Sequence, residues 1–257
     1  MKAIYHILIV ALVGMFASCS NDIPVQEQDR GEGRFMLSVL TSDVTTEDIS
    51  RAATFSFNTD TFKVSVADAK GLALVYKKKL NQLTDVDRTL PVAEDYLVEV
   101  ESCSSEEAIG ANQQWGMARF YAQDTFDIVK DETTALDMVC TMANAGLKII
   151  FHNSFTQKFT TYAATTQDIR GLVFKGDASK VAYYNLNDAT GSVSVRFTGA
   201  CEGWWADRID KTKEILLTKG KITNLTVRYN DGTTGEAGIT FETDFAMTET
   251  NDDVTVQ

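Results

Sequence analysis

Apolar and polar residues alternate along most of this chain from Arg34 onwards. A period of two places successive side chains on opposite faces of a β-strand, and Phe62–Ala67 shows it most clearly. Segment Ser105–Trp115 has room for a turn or two of helix, and no segment of helical length shows a clean apolar stripe. Further alternating or short apolar runs occupy 35–40, 72–76, 96–101, 126–128, 136–140, 147–152, 171–174, 181–184, 193–197, 215–217 and 225–229.

Many short strands separated by turn residues are typical of β-sandwiches. We therefore predict an all-β protein of tandem β-sandwiches, the first over residues 34–146 and the second over 147–257, divided near Ala145-Gly146. The alternation also predicts the large side chains of the cores, which are Phe62, Val64, Val66, Val98, Val100, Ile149 and Phe151.

The N-terminus has a different pattern. Lys2 precedes the uncharged apolar run Ile7–Phe16, which is too short to span a bilayer and is typical of a secretory signal peptide. The run ends in Phe16-Ala17-Ser18-Cys19, which resembles the lipobox of bacterial lipoproteins. That resemblance implies a signal peptide over residues 1–18, cleavage before Cys19, and acyl chains on its thiol and amine. The alternative is an ordinary signal peptide with a chance cysteine.

Residues 19–33 are mostly polar, which predicts a flexible tether. Several acyl chains hold a protein on a membrane far longer than one chain does. Ser20 stands where an aspartate retains many Gram-negative lipoproteins in the inner membrane, which favours the outer membrane. Asn21-Asp22 and the acidic residues that follow loosely resemble a tether used for surface export. We therefore expect a lipid-anchored protein of the outer membrane, with exposure on the cell surface.

Charge and composition exclude several functions. The formal net charge is −12 over 257 residues, which argues against nucleic-acid binding and against docking on anionic lipid. The chain has no nucleophile elbow, phosphate loop, dinucleotide turn or zinc-protease motif, so we predict no enzymatic activity and no cofactor. His152 is the one histidine beyond the signal, and its spacing predicts a strand histidine on a solvent face or between sheets.

Four cysteines are present, Cys19, Cys103, Cys140 and Cys201. With Cys19 acylated, the other three are expected to be small buried hydrophobes. A Cys103–Cys140 bridge is the alternative, if their strands are neighbours. The cysteines lack the CxxC spacing of zinc sites, so we expect no metal site.

The pair Trp204-Trp205 is the strongest candidate for ligand contact. Adjacent strand residues face opposite sides, so one ring is expected in the core while the other is free to stack on a sugar. Asp207 and Arg208 lie nearby as polar partners. Packing in the core or between domains is the favoured alternative, because Trp is usually mostly buried. Trp115, in a loop-like region, presents the same choice.

Three stretches resemble a known family. They are Phe62–Val66 with the Gly71 hairpin, Leu90-Pro91 with Tyr96–Val98, and Cys140–Asn144 leading into Leu147–Phe151. These residues resemble a Bacteroidota surface lipoprotein family of unknown function, related to fimbrillins and fimbrial anchor proteins. The resemblance covers about residues 55–200 and departs from the family at Ala93-Glu94 and at Met117–Tyr121. It implies transthyretin-like sandwiches and a surface or fimbria-associated role.

The resemblance also draws attention to Arg51-Ala52. Fimbrillins of this type are cut by an arginine-specific protease that removes an N-terminal strand, and a strand of the next subunit fills the groove. Arg51-Ala52 lies in a polar linker between strand 35–40 and Phe62, where backbone is expected to be accessible. Cleavage would release the lipid and make a polymerising subunit. The favoured alternative is that Arg51 is a solvated linker residue and the lipid stays.

The sequence thus predicts a non-enzymatic, lipid-anchored protein that is an anchor, accessory or adhesion component of a fimbria. Its expected partners are the membrane, through the lipid on Cys19, and fimbrial subunits, by strand exchange. The alternative function is a glycan-binding surface lipoprotein of a nutrient-uptake system, with Trp204 or Trp205 as the stacking platform. A concave site with an exposed aromatic would favour glycan binding, whereas an unpaired sheet edge over an apolar groove would favour strand exchange.

Overall fold

The computed structural model describes residues 31–42, 57–176, 179–201, 208–230 and 238–246. These residues belong to one compact unit that begins at Gly31. Within the described ranges most residues lie in strands, which are joined by turns and by helices of one or two turns. The predicted all-β class is therefore confirmed.

Seven strands come from the first half of the chain: β1 Glu32–Thr41, β2 Lys63–Ala67, β3 Ala73–Lys79, β4 Thr89–Pro91, β5 Ala93–Glu101, β6 Phe120–Ile128 and β7 Thr133–Met142. The second half contributes β8 Ala145–Phe151, β9 Thr161–Thr166, β10 Val173–Phe174, β11 Val181–Tyr184, β12 Thr190–Ala200, β13 Arg208–Thr218, β14 Ile222–Asn230 and β15 Gly238–Ala246. The short helices are α1 Asp85–Arg88, α2 Ser105–Gly110 and α3 Asn153–Lys158. Helix α2 falls within the segment where the sequence predicts a turn or two of helix.

The seven strands of the first half join in the order β3-β2-β5-β6-β7-β1-β4. Strands β6 and β7 pair at only two positions, Phe120 with Met142 and Tyr121 with Thr141. This corner separates an antiparallel β3-β2-β5-β6 layer from a β7-β1-β4 layer. Apolar side chains of both layers meet in one buried cluster, the first core. Its members are Phe35, Leu37, Val39, Phe62, Val64, Val66, Val75, Leu90, Tyr96, Val98, Val100, Phe120, Phe126, Ile128, Leu136, Met138, Cys140, Met142 and Ile222.

The second half forms two four-stranded sheets, β10-β9-β12-β13 and β11-β8-β14-β15. They enclose a second core, to which α3 contributes Phe155. The other buried members are Ala145, Leu147, Ile149, Phe159, Ala164, Leu172, Phe174, Ala182, Val193, Val195, Phe197, Ile215, Leu217, Leu225 and Val227. The proposal that 34–146 and 147–257 are separate domains stays a prediction, and β8 begins at Ala145, where the division was placed.

Of the seven side chains predicted for the cores, all but Phe151 are buried. Phe151 is half-buried at the end of β8, where its ring centroid lies 5.3 Å from that of Phe155 and 4.7 Å from that of Tyr162. Strand β8 ends there, because the chain then turns into α3. The period-two pattern therefore places Phe151 on the correct face and overstates its burial.

Candidate functional site

Strand β1 is the element that bears most directly on the predicted role. On one side it pairs in parallel with β7 over eight residue pairs, from Arg34 with Thr133 to Thr41 with Cys140. On the other side β4 covers only Glu32–Arg34. From Phe35 to Thr41 that edge has no partner strand among the residues that the structure describes. The backbone of β1 is thus partly open to another strand.

The side chains of β1 hold it in place. Phe35, Leu37 and Val39 are 1%, 7% and 6% exposed and project into the first core, while Met36 and Leu40 on the opposite face are 59% and 63% exposed. An N-terminal strand that is open along one edge and apolar on one face would leave a groove if it were removed. This is the arrangement on which strand exchange depends.

The chain that follows β1, residues 43–56, contains Arg51 and Ala52 and lies outside the described residues. Beyond it, Phe57 packs with its ring centroid 4.4 Å from that of Phe120 in the first core. Cleavage at Arg51-Ala52 is untested by the structure and stays a prediction.

A second candidate is a cavity of about 380 Å³ on the outer face of the β3-β2-β5-β6 layer. Buried Val98 and Val100 alternate along β5 with half-buried Glu99 and Glu101, which face outward. The cavity is also lined by Ser65 of β2, Tyr76 and Lys77 of β3, Tyr121 of β6, and Arg119, which immediately precedes β6. We call this site the bulge cavity.

The bulge cavity takes its shape from an irregularity in the β2–β3 hairpin. Val64 pairs with Lys78 and Val66 pairs with Val75, so Tyr76 and Lys77 together lie opposite the single residue Ser65. Lys77 has a φ of +46°, in the left-handed region that side chains rarely adopt. Its backbone N–H donates to Oγ of Ser65 at 3.1 Å. Such a bulge bends the strand and redirects side chains, and here it leaves Tyr76 72% exposed at the rim.

Ion pairs fix the floor of the bulge cavity. The Glu101 carboxylate, 13% exposed, contacts Nζ of Lys77 at 3.3 Å and a terminal nitrogen of Arg119 at 3.1 Å. Nε of Arg119 donates to the carbonyl oxygen of Cys103 at 3.1 Å. The guanidinium lies 5.0 Å from the ring centroid of Tyr121. These contacts hold the cationic groups in one position.

Tyr121 extends this network. Its hydroxyl lies 2.7 Å from Oε1 of Glu99 and 2.7 Å from Oε1 of Gln123. Burial, and then the Glu99 carboxylate, raise the pKa of Tyr121 to about 12, so the phenol remains protonated and donates at physiological pH. The cavity therefore presents a fixed pattern of hydrogen-bond donors and acceptors.

Trp115 lies in a different place. Its half-buried ring packs edge-on against Phe174 at 4.8 Å, and Nζ of Lys180 lies 5.0 Å from its centroid. It lines a depression of about 560 Å³ with Tyr183. The ring belongs to the periphery of the second core, in agreement with the packing alternative.

The other residues singled out from the sequence fall as follows. Cys19 and Trp204-Trp205 lie outside the described residues, so lipidation and sugar stacking there stay predictions. The strand assignment of His152 is wrong: His152 follows β8 and caps helix α3, where its Nδ1 accepts from the backbone N–H of Ser154 at 3.1 Å. The period-two pattern ends one residue before it.

The three described cysteines are free thiols. Cys103 and Cys140 are buried, and Cys201 is half-buried. Burial raises the pKa of the Cys140 thiol to about 11, so it is protonated at neutral pH. Cys103 and Cys140 therefore behave as small core residues.

Sequence reasoning missed the bulge cavity. The outward-facing Glu99 and Glu101 are visible in the alternation of β5, but the bulge that brings Tyr76 and Lys77 beside them is a pairing irregularity. The one available signal is the lack of alternation in β3, where Tyr76 is followed by three lysines.

No curated protein matches the chain. Similar solved structures include a proposed cell adhesion protein from Bacteroides eggerthii, with a TM-score of 0.46 and 10% identity over 85% of this chain and 96% of that one. A proposed polysaccharide-binding protein from Bacteroides thetaiotaomicron has a TM-score of 0.38 and 12% identity over 82% and 96%. The fimbrial anchor protein Mfa2 from Porphyromonas gingivalis has a TM-score of 0.32 and 10% identity over 82% and 97%.

Across the described ranges, no helix is both long and apolar enough to span a membrane. The expectation that the chain belongs to a family of unknown function is confirmed. Residues 31–257 match its sequence pattern, and the chain belongs to the family described as Domain of unknown function (DUF4493).

Proposed function

We propose that this chain is a lipid-anchored protein of the outer membrane, displayed at the cell surface, where it serves as an anchor, accessory or adhesion component of a fimbria. It performs no catalysis. The observation that carries the proposal is strand β1, which starts shortly after Cys19 and is built into the first core through Phe35, Leu37 and Val39.

The position of β1 couples the lipid to the folded protein. Roughly a dozen residues separate Cys19 from Glu32, and a chain of that length spans at most about 45 Å when fully extended. The first sandwich is thus held near the bilayer. Because β1 is seated in the core, a load on a fimbrial partner is transmitted through the sheet to the lipid.

Strand exchange is the proposed mode of attachment to fimbrial subunits. The open edge of β1 between Phe35 and Thr41 offers backbone groups to an incoming strand. We distinguish two forms of the protein. In the anchor, which we favour, β1 and the lipid are retained and the incoming strand pairs with the edge of β1. In a polymerising subunit, cleavage at Arg51-Ala52 removes both, and the incoming strand takes the place of β1 beside β7.

The proposal is tested in the native host with two matched strains, Cys19→Ala and Cys201→Ala. A radiolabelled fatty acid should label the protein in the wild type and in Cys201→Ala, and Cys19→Ala should lose the label and leave the membrane fraction. Cys19→Ala cells should also shed fimbrial material into the medium. Label that persists in Cys19→Ala, or that is absent from the wild type, would refute lipidation at Cys19. Loss of label without shedding would refute the fimbrial role and leave the lipid anchor intact.

A further inference from the structure

The bulge cavity has the features of a ligand site that no part of the proposed function uses. It is concave, its volume of about 380 Å³ falls within the range of about 300–1,000 Å³ typical of small-molecule sites, and aromatic and polar groups converge on it. We propose that it binds a neutral, hydroxyl-rich carbohydrate, with Tyr76 as the stacking surface.

Tyr76 is the first reason. An exposed phenol ring costs hydrophobic free energy in water, and 72% of Tyr76 is exposed at the rim of the cavity. Aromatic faces carry negative electrostatic potential and attract the weakly positive C–H groups that line one side of a sugar ring. The ring of Tyr76 is therefore suited to an apolar face that belongs to an otherwise polar ligand.

Backbone strain is the second reason. Lys77 lies in the left-handed region, a conformation that is strained for a non-glycine residue and that clusters at functional sites. A regular hairpin would pair one residue of β3 with Ser65. The bulge instead places Tyr76 and Lys77 beside the carboxylates of β5, and it is this irregularity that forms the cavity.

The charges of the lining indicate a neutral ligand. Lys77 and Arg119 are balanced by Glu99 and Glu101, so the lining carries no net formal charge. Both cations are already paired with Glu101 at 3.3 and 3.1 Å, which weakens their attraction for a phosphate, sulfate or carboxylate ligand. Glu101 in turn is neutralised by two cations, which disfavours a metal ion.

The same groups suit hydroxyls well. Glu99 accepts from Tyr121 and retains further lone pairs, and a carboxylate can accept from two neighbouring hydroxyls of a sugar. Arg119 carries five N–H donors, of which two are used within the protein. One sugar residue would therefore find both donors and acceptors in place. Hydrogen bonds to these charged groups would be stronger than hydrogen bonds between neutral groups.

This site differs from the pair Trp204-Trp205 that the sequence favoured for stacking. It is also independent of the lipid and of the fimbrial role, because it lies on β2, β3, β5 and β6 and uses no part of β1. A carbohydrate bound here would give the protein an adhesive surface of its own.

The test uses the purified full-length protein on an array of neutral, sialylated and sulfated oligosaccharides. We expect binding to neutral members, and we expect Tyr76→Ala and Glu99→Gln each to weaken it at least tenfold. Tyr76→Phe should retain binding, because it keeps the aromatic face. Leu72→Ala is the matched control, since Leu72 is 63% exposed on the same hairpin and does not line the cavity.

Circular dichroism and the unfolding midpoint confirm that each variant is folded. The proposal is overturned if no neutral oligosaccharide binds the wild-type protein, if anionic members bind in preference, or if binding survives both Tyr76→Ala and Glu99→Gln. None of these results would affect the lipid anchor or the fimbrial role.

Discussion

At the scale of single residues, the first core depends on aromatic rings contributed by strands and by the segments that precede them. Phe62 is 3% exposed, and its ring stacks near Phe120 with centroids 6.5 Å apart. Phe120 also contacts Phe57, so its ring packs against two segments of the chain that precede β2. Interiors are packed as densely as organic crystals, so a deleted ring leaves a void that neighbours fill only in part.

Phe62→Ala is therefore expected to lower the free energy of unfolding by about 3–5 kcal/mol. Phe151→Ala should cost less, because Phe151 is only half-buried. Urea denaturation measures both. Leu72→Ala, at a 63% exposed position, is the control and should change stability by less than about 0.5 kcal/mol. Equal losses for Phe62→Ala and Leu72→Ala would refute the first core as described.

The Glu107 carboxylate illustrates how charge enters at the same scale. The Lys63 ammonium, at 2.7 Å, and the backbone N–H of Ser104 lower the pKa of Glu107 from 4.5 to about 2. A group whose pKa is lower in the folded state stabilises the protein above its unfolded pKa. That stability is lost as pH falls through the folded value.

Wild type should accordingly be more stable than Glu107→Gln at neutral pH. The difference in unfolding free energy should hold down to about pH 5 and shrink as pH falls towards 2, because both proteins then carry a neutral group. Chemical denaturation across this range, with Glu106→Gln as the neighbouring control, provides the measurement. A difference that grows on acidification would show that the Lys63 and Ser104 contacts do not form.

At the scale of elements, turns and bulges determine where the strands lead. Residues Asn112, Gln113 and Gln114 have φ values of +51°, +57° and +72°, which is a run of left-handed backbone ahead of Trp115. Each such residue costs roughly 1–2 kcal/mol relative to the right-handed conformation. The run allows the chain after α2 to reverse and lets the Asn112 amide donate to the carbonyl oxygen of Gly116 at 2.8 Å.

Gln113→Gly should therefore stabilise the protein, because glycine adopts left-handed backbone without steric cost. The gain should be about 0.5 kcal/mol, since the greater freedom of glycine in the unfolded chain offsets part of it. Gln157→Gly is the matched control and should destabilise by about 0.5–1 kcal/mol, because Gln157 is exposed within helix α3. Thermal unfolding of both variants decides the matter. Destabilisation by Gln113→Gly would contradict the left-handed turn.

Elements also show how far the sequence determines the structure. Alternation predicts the hairpin of β2 and β3 and the faces of β5 correctly, because the period of a strand is a local property. The bulge at Tyr76-Lys77 depends on which residues of β2 lie opposite, so the sequence gives no clear sign of it. His152 continues the alternating pattern in sequence, but the strand ends at Phe151 and His152 caps helix α3.

On the scale of the whole molecule, the two halves share one arrangement. Strand β1 pairs in parallel with β7 over eight residue pairs, and β8 pairs in parallel with β14 over six. In each half, the first strand therefore pairs in parallel with the seventh. These pairs join residues far apart in the chain, such as Arg34 with Thr133 and Gly146 with Ile222, and no local pattern specifies them.

In the proposed anchor, the N-terminal strand links the membrane to the fold. Phe35, Leu37 and Val39 hold β1 in the first core, and its edge beyond Arg34, which has no partner strand within the described ranges, is available for another strand. We propose that the protein at the cell surface keeps both β1 and its lipid. A subunit that polymerises would instead lose both at Arg51-Ala52.

The most direct measurement is the N-terminal sequence and intact mass of the protein released from the surface of native cells. We predict a chain that begins at Cys19, is blocked to sequencing and carries the mass of its acyl chains. A free N-terminus at Ala52, with the corresponding loss of mass, would contradict the account.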